Sequence, residues 1–249
     1  MDLTSYLLHP RDEFDKISKK IPMSFVEEVI EVEPLDEFTA QLPEDLPLVL
    51  ERAGHGLHFV VIKVGEKTYK LLLSGARIAN ISLFHGGEEV SGLRAFEKLF
   101  KEQGPALIYV YRVHPPTAKA IKSLMSGYEP MDRIHEEMIS LANSIIIETI
   151  LGRLGEARKA LKNLYRHTVD KHFPFEENLM KRYNYPNIYE HIKYHKLYRE
   201  ALEQIMTLAA KEQYMDMIYE LLTTFDSYLK YMGDEDKRLA RYIKMIINK

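Results

Sequence analysis

Two pairs of residues, each four positions apart, constrain this chain more than any other feature of its sequence. His172 and Glu176 form the first pair, and His191 and His195 form the second. In an α-helix, residues four apart lie on one face with their Cβ atoms about 5–6 Å apart, so each pair can bind one metal ion or two neighbouring ions. Tyr185-Pro186 stands between the pairs. The sequence therefore predicts two adjacent helices, each with a ligand pair.

The chain is predicted to be helical from about residue 131 almost to its end. Apolar residues recur there at helical spacing, which predicts helices over about 131–150, 155–183, 187–210 and 213–246. Connections this short make neighbouring helices antiparallel, so residues 131–249 are expected to form an all-α, up-down-up-down four-helix bundle. Pro174 falls inside the second helix and predicts a local irregularity that helps to aim His172.

The first part of the chain has a different pattern and predicts a separate α+β domain over residues 1–130, with a mostly antiparallel sheet. Prolines at positions 34, 43 and 47 indicate an irregular connection. Helices are predicted at 3–20, Val90–Gln103 and from Pro115 to Gly127, and strands at Ser24–Val32, Leu57–Val64, Lys67–Ser74, Arg77–His85 and Leu107–Val113.

Composition excludes several classes of protein. Hydrophobic residues make up 46% of the 249 positions, which is typical of a soluble globular protein with a core. The net charge of −3 gives no basic field for a nucleic-acid partner. The absence of cysteine excludes disulfides, iron–sulfur clusters and thiol catalysis. The N-terminus has no signal-peptide pattern and the apolar runs are too short to span a membrane, so we expect a cytoplasmic protein.

Another histidine in the predicted bundle strengthens the prediction of a metal site. His135 lies on the first predicted helix, so five imidazole or carboxyl groups would need partners in an apolar core. Any one of them could instead lie at a wet helix edge, but together they indicate a metal site. Imidazole and carboxylate without thiolate suit iron, manganese or zinc. The region has neither the Glu-x-x-His pairs of ferritin-like bundles nor the His-Glu-x-x-His motif of zinc proteases.

These motifs together resemble one family. Residues 131–246 are similar to a hemerythrin-like (HHE cation-binding) domain, in the segment Met131–Met138, in His-Phe-x-x-Glu-Glu-x-x-Met at 172–180, in Tyr185-Pro186 and in His-x-x-x-His at 191–195. The resemblance implies a non-haem di-iron centre with two iron ions per chain, compatible with an oxo or hydroxo bridge. It also implies that dioxygen or a related small oxidant is the ligand.

The resemblance also implies a set of ligands. The set includes five residues that match family positions directly: His135, His172, Glu176, His191 and His195. Glu176 and Asp236 would be the two bridging carboxylates. The family has a histidine five residues before that aspartate, and here the residue is Tyr231. Tyr231 could bind iron as a phenolate, or it could pack beside the ligands.

The N-terminal part loosely resembles PATAN-type regulatory modules over about residues 55–113, around Phe84-His85-Gly86-Gly87. That resemblance implies a regulatory or interaction module that could hold a protein partner. The resulting hypothesis is an iron protein that binds or senses dioxygen or a related oxidant, and that is not primarily an enzyme. The alternatives are a di-iron oxidase or peroxide-consuming enzyme, and a scaffold whose metal site is vestigial.

Overall fold

A computed structural model of the protein describes residues 11–52, 56–114 and 125–247. The N-terminal elements are α1 Arg11–Lys20, α2 Met23–Val29, β1 Glu31–Leu42, α3 Leu46–Arg52, β2 Leu57–Val64, β3 Lys67–Ser74, β4 Arg77–His85, β5 Glu88–Ser91, α4 Leu93–Leu99 and β6 Gly104–His114. The C-terminal elements are α5 Glu129–Ile150, α6 Leu154–Arg166, a π-helical segment His167–His172, α7 Phe173–Arg182, α8 Ile188–Ala210 and α9 Tyr214–Ile247.

The described strands form a six-stranded antiparallel sheet in the order β1-β6-β2-β3-β4-β5. The β2–β3 hairpin closes through Gly65, whose φ of +57° is open to glycine without strain. One face of the sheet forms the core with α3 and α4, through buried side chains such as Val60, Ile62, Leu71 and Phe96. The predicted α+β class with a mostly antiparallel sheet is confirmed.

Two predictions in this region are wrong. Ser24–Val32 was expected to be a strand, but Met23–Val29 is helical. Its β-branched residues favour a strand, yet Met23, Val26 and Val29 recur every three positions and all are buried. Burial of that single helical face outweighs the weak local preference.

The expected irregular connection around the prolines is instead β1, an edge strand paired with β6. Pro34 lies at a shift in the register between Pro34 and Asp36. An edge strand and a bulge are the places where a sheet tolerates a residue without an N–H group.

The remaining N-terminal predictions differ mainly in their bounds. The predicted helix Val90–Gln103 is shorter, because Glu88–Ser91 pairs with β4 and α4 covers only Leu93–Leu99. The helix expected to start at Pro115 falls largely on residues 115–124, which lie outside the described part of the chain. The first ten residues of the chain also lie outside it, and α1 covers the second half of the helix expected at 3–20.

The C-terminal region is helical, as predicted, and is arranged as a bundle of antiparallel neighbours joined by short connections. The predicted second helix consists of α6, the π-helical segment and α7. An apolar cluster packs across α5, α7, α9 and the connection between α7 and α8, and its buried members are Met131, Leu179, Met180, Tyr185, Leu239 and Ile243. Met131, Leu179, Met180 and Leu239 lie three or four residues along the chain from a predicted ligand, so the ligand residues border this apolar layer.

By its internal contacts the chain divides into two compact units, Met1–Pro116 with Ile150–Gly152, and Thr117–Thr149 with Arg153–Lys249. The predicted domain boundary near residue 130 stays a prediction. None of the described helices combines the length and the apolar character that crossing a membrane requires.

Candidate metal centre

Six predicted ligand residues meet inside the helical region. They come from four of its elements and the π-helical segment: His135 from α5, His172 from the π-helical segment, Glu176 from α7, His191 and His195 from α8, and Asp236 from α9. Five of these residues have no exposed surface, and His195 is 2% exposed. Buried polar groups of this kind need partners, and here the partners are one another.

The helix that carries His172 is irregular where it enters the site. The chain is π-helical over His167–His172, and α7 then starts with Pro174 in its first turn. Proline is tolerated there because the first turn of a helix has no use for its N–H group. The irregularity predicted from Pro174 is confirmed. His167 turns away from the ligands, and its ring lies 3.2 Å from the carbonyl oxygen of Ile134 and from the Glu137 carboxylate.

Glu176 lies at the centre of the cluster. Its Oε2 lies 3.1 Å from Nε2 of His191, 3.1 Å from Nε2 of His195 and 3.5 Å from Nε2 of His172. Its Oε1 lies 3.8 Å from Nε2 of His135. Two overlapping groups could hold a metal ion, His135 with His172, Glu176 and Asp236, and Glu176 with His191 and His195. Glu176 belongs to both groups.

The two oxygens of Asp236 face different halves of the cluster. Its Oδ2 lies 3.4 Å from Nε2 of His135, and its Oδ1 lies 3.4 Å from Nε2 of His191. A carboxylate in this position can bind one ion with each oxygen. Glu176 and Asp236 therefore each contact imidazoles of both groups.

The donor set fits a metal ion. Oε1 of Glu176 and Oδ1 of Asp236 are buried and accept no hydrogen bond from the described residues. Within the described part of the chain, both carboxylates contact only imidazoles and the Tyr228 hydroxyl, and neither pairs with lysine or arginine. Two buried carboxylates without a cation would be costly. Four imidazoles and two carboxylates are the ligands that iron, manganese and zinc accept.

Burial and neighbouring charges set the protonation of the metal-free cluster. Burial lowers the pKa of His172 to about 3, so this imidazole stays neutral at physiological pH. Burial raises the pKa of Glu176, but the imidazoles around its carboxylate, two of which hydrogen-bond to it, outweigh burial and hold that pKa well below its ordinary value. Burial and the charge of Glu176 raise the pKa of Asp236. Neutral imidazole and ionised carboxylate are the forms that bind metal, and His172 and Glu176 already hold them.

Comparison with protein families agrees with this geometry. Residues 126–243 match the family described as the hemerythrin HHE cation binding domain. Residues 126–243 form a hemerythrin-like domain. The resemblance drawn from the sequence motifs is confirmed, and the domain is a metal-binding one. Neither a curated protein nor a solved structure matches the chain. The resemblance of residues 55–113 to PATAN-type modules stays a prediction.

In the hemerythrin-like domain, His195 has two contacts besides the one with Glu176 that fix the orientation of its ring. Nδ1 of His195 lies 3.3 Å from Oε1 of Glu177, a side chain that is 28% exposed. The Phe173 ring stacks on His195, with 4.1 Å between the centroids and 15° between the planes. By contrast, Nδ1 of His172 and Nδ1 of His191 have no hydrogen-bond partner among the described residues. The ring of His195 is therefore the one most firmly oriented for its Nε2 to face Glu176.

Sequence reasoning missed one residue at the site. Tyr228 of α9 is buried, and its hydroxyl donates a hydrogen bond of 3.3 Å to Oδ2 of Asp236 and lies 3.3 Å from Nε2 of His172. Burial raises the pKa of this phenol well above its ordinary value, so it keeps its proton in the metal-free protein. The tyrosine that the sequence suggested as a possible ligand is Tyr231, and its side chain lies outside the described part of the structure.

A cavity of about 420 Å³ lies between α8 and α9 beside these groups. Its lining is mostly apolar or aromatic, with Tyr194, Leu197, Tyr198, Ala201, Thr224 and Tyr228 among its residues. The rings of Tyr198 and Tyr228 lie 4.7 Å apart, and the hydroxyl of Tyr198 is buried without a hydrogen-bond partner. Tyr228 thus lines the cavity and also contacts Asp236 and His172.

Proposed function

We propose that the hemerythrin-like domain binds two iron ions through His135, His172, Glu176, His191, His195 and Asp236, and that it uses them to bind or sense dioxygen or a related small oxidant. The observation that carries the proposal is the position of the two carboxylates. Glu176 belongs to both candidate metal groups, and the two oxygens of Asp236 face different groups.

Charge supports two ions over one. Glu176 and Asp236 bring two negative charges into a fully buried site, and the imidazoles bind metal in their neutral form. One ion could be held by only one of the two overlapping groups, which share Glu176. Two ions would satisfy the carboxylate oxygens that accept no hydrogen bond, Oε1 of Glu176 and Oδ1 of Asp236.

The protein groups prepare this site for a small oxidant. Bound iron would supply the electrons that an oxidant such as dioxygen accepts. The protein side chains at the site are much poorer electron donors. The residues around it hold the ligands in place and exclude water, because the whole ligand set is buried and borders an apolar cluster. Glu177 and Phe173 keep the His195 ring oriented.

The proposal extends to the whole chain. We infer that it acts in the cytoplasm without a nucleic-acid partner, and that the N-terminal α+β region is a regulatory or interaction module. A response to an oxidant would require two conformations with different affinity for it.

A second candidate function is an enzyme, either a di-iron oxidase or a peroxide-consuming catalyst. The observation that favours it is the cavity between α8 and α9. Its volume of about 420 Å³ falls within the size range of cavities that hold small organic ligands, and is far larger than dioxygen needs. An organic molecule in that cavity would contact Tyr228, which in turn contacts Asp236 and His172.

Metal content tests the proposal directly. We expect protein produced with iron to contain two iron ions per chain by elemental analysis, and to show a visible spectrum that changes reversibly with oxygen. The Glu176→Ala variant should lose iron from both positions. The matched control is His85→Ala, which removes an exposed histidine outside the helical region. Iron-grown protein that contains no metal would refute the proposal, and steady consumption of peroxide would favour the enzyme.

A further inference from the structure

The hydroxyl of Tyr228 lies close to two of the candidate metal ligands. Its oxygen lies 3.3 Å from Nε2 of His172 and 3.3 Å from Oδ2 of Asp236. Both of those atoms belong to residues of the same candidate metal group, which His135 and Glu176 complete. The Tyr228 ring also lies edge-on to the rings of His135 and His172, with centroids 6.3 Å away in each case.

The distances between polar atoms indicate whether a residue is placed as a metal ligand or only packs beside the ligands. Two atoms that each lie about 2.1 Å from one ion, at a right angle, are about 3 Å apart. The distances between ligand atoms within this cluster run from 3.1 Å to 3.8 Å. The Tyr228 oxygen keeps the same spacing from two members of the group. It is therefore placed as a further member of the group that contains His135 and His172.

In the metal-free protein, hydrogen bonds can satisfy both contacts, because the phenol donates its one hydrogen to Asp236 and its oxygen can accept one from Nε2–H of His172. Metal binding changes this arrangement, because Nε2 of His172 carries no hydrogen when it binds an ion. The imidazole then has no hydrogen to donate to the Tyr228 oxygen, and the 3.3 Å between the two atoms is a distance that two ligands of one ion can adopt.

We propose that Tyr228 binds the ion held by His135 and His172 as a phenolate, an inference that rests on the proposed iron function. Ligation replaces the O–H bond of Tyr228 with an O–iron bond and releases one proton to solvent. The anionic oxygen favours trivalent over divalent iron. The two halves of the site become unequal, because among the described residues only the His135–His172 half has such a group.

The chain contains a matched control. Tyr198 is also buried, lies 4.7 Å from Tyr228 ring to ring and lines the same cavity. Its hydroxyl has no hydrogen-bond partner among the described residues, whereas that of Tyr228 contacts Asp236 and His172. The Tyr198→Phe variant therefore removes a phenol from the same environment without removing a ligand.

The test uses the full-length protein loaded with iron in air, with iron counted by elemental analysis and the phenolate-to-iron(III) band recorded by visible absorption. We expect the band in the unchanged protein, its loss in Tyr228→Phe with the iron count kept, and its retention in Tyr198→Phe and Tyr231→Phe. Iron-loaded protein without the band, or a band that survives in Tyr228→Phe, overturns the inference and leaves the proposed function standing. Loss of the band in Tyr231→Phe instead assigns the ligand to Tyr231 and also overturns it.

Two further outcomes are decisive. Absence of iron from the unchanged protein refutes the proposed function and this inference together. If Tyr228→Phe fails to fold by circular dichroism, resonance Raman of the unchanged protein replaces it. Ring modes of a bound phenolate that persist in both Tyr198→Phe and Tyr231→Phe then support Tyr228, and their absence from iron-loaded protein overturns the inference.

Discussion

Glu177, whose carboxylate contacts Nδ1 of His195, gives a prediction about the half of the site that contains His195. Replacing Glu177 with Gln keeps the side-chain volume but removes the negative charge that lies 3.3 Å from Nδ1 of His195. Loss of a carboxylate that orients a metal-binding histidine weakens metal affinity by about 10- to 100-fold. Glu177 is 28% exposed, so solvent screens part of its effect. We therefore expect the lower end of that range, about 10-fold, or about 1.4 kcal/mol.

The assay is an anaerobic titration of iron(II) against a coloured chelator, which resolves two binding steps. Glu177→Gln should weaken the step that fills the half containing His195 and leave the other step unchanged. Glu200→Gln is the control, because it makes the same chemical change on α8 at an exposed residue whose contact is Lys196 at 3.9 Å. Equal weakening of both steps would show that Glu177 acts on the fold as a whole. Unchanged affinities would show that it does not orient His195.

Two other predictions concern stability. Burial alone raises the pKa of Glu102, but hydrogen bonds from Lys67 and Tyr69 outweigh it and lower that pKa below 4.5. Because the folded pKa is the lower one, Glu102 stabilises the fold fully above about pH 4.5 and loses this effect as pH falls through the folded value. Urea titrations should thus show Glu102→Gln to be less stable than the unchanged protein at pH 7, with a smaller difference near pH 3, and a constant difference would contradict the assignment. Second, an ion that binds only the folded state stabilises it, by about 2.7 kcal/mol at 100 times its Kd. Calorimetry with and without a chelator should therefore show that metal removal lowers the Tm of the helical unit, and an unchanged Tm would mean that the ligands hold no metal.

Four of the six candidate ligands could be predicted from helical spacing in the sequence, whereas Asp236 was predicted only from the resemblance to the hemerythrin-like family. The pair His172 and Glu176 and the pair His191 and His195 are recognisable without any tertiary information. The β-prone runs from Leu57 to His85 were also predictable as strands, since glycine turns bound them. In each case a local pattern and the tertiary environment favour the same structure.

Other features depend on contacts that no local pattern reports. The helix at Met23–Val29 forms because one of its faces is buried, although its β-branched residues favour a strand. Pro34 suggested a break, but it fits at an irregularity of an edge strand. Tyr228 stands eight residues before Asp236, about 12 Å along the helix axis, so the one-turn spacing that marks the ligand pairs does not point to it. Only the length of its side chain and the packing of α9 bring its hydroxyl to the ligands.

The π-helical turn at His167–His172 makes the site sensitive to chain length. Such a turn holds about one residue more than an α-helical turn. A chain one residue shorter here could bring α7 into regular α-helical register with α6, although Pro174 would still leave one carbonyl oxygen without a backbone donor. His172 would then shift by about 100° around the axis relative to the residues before the turn, such as Leu164, and the core contact and the ligand position could not both be kept. A single deletion between these residues would thus restore the α-helical register and disrupt the metal site, so the length of this turn is fixed by the ligand position.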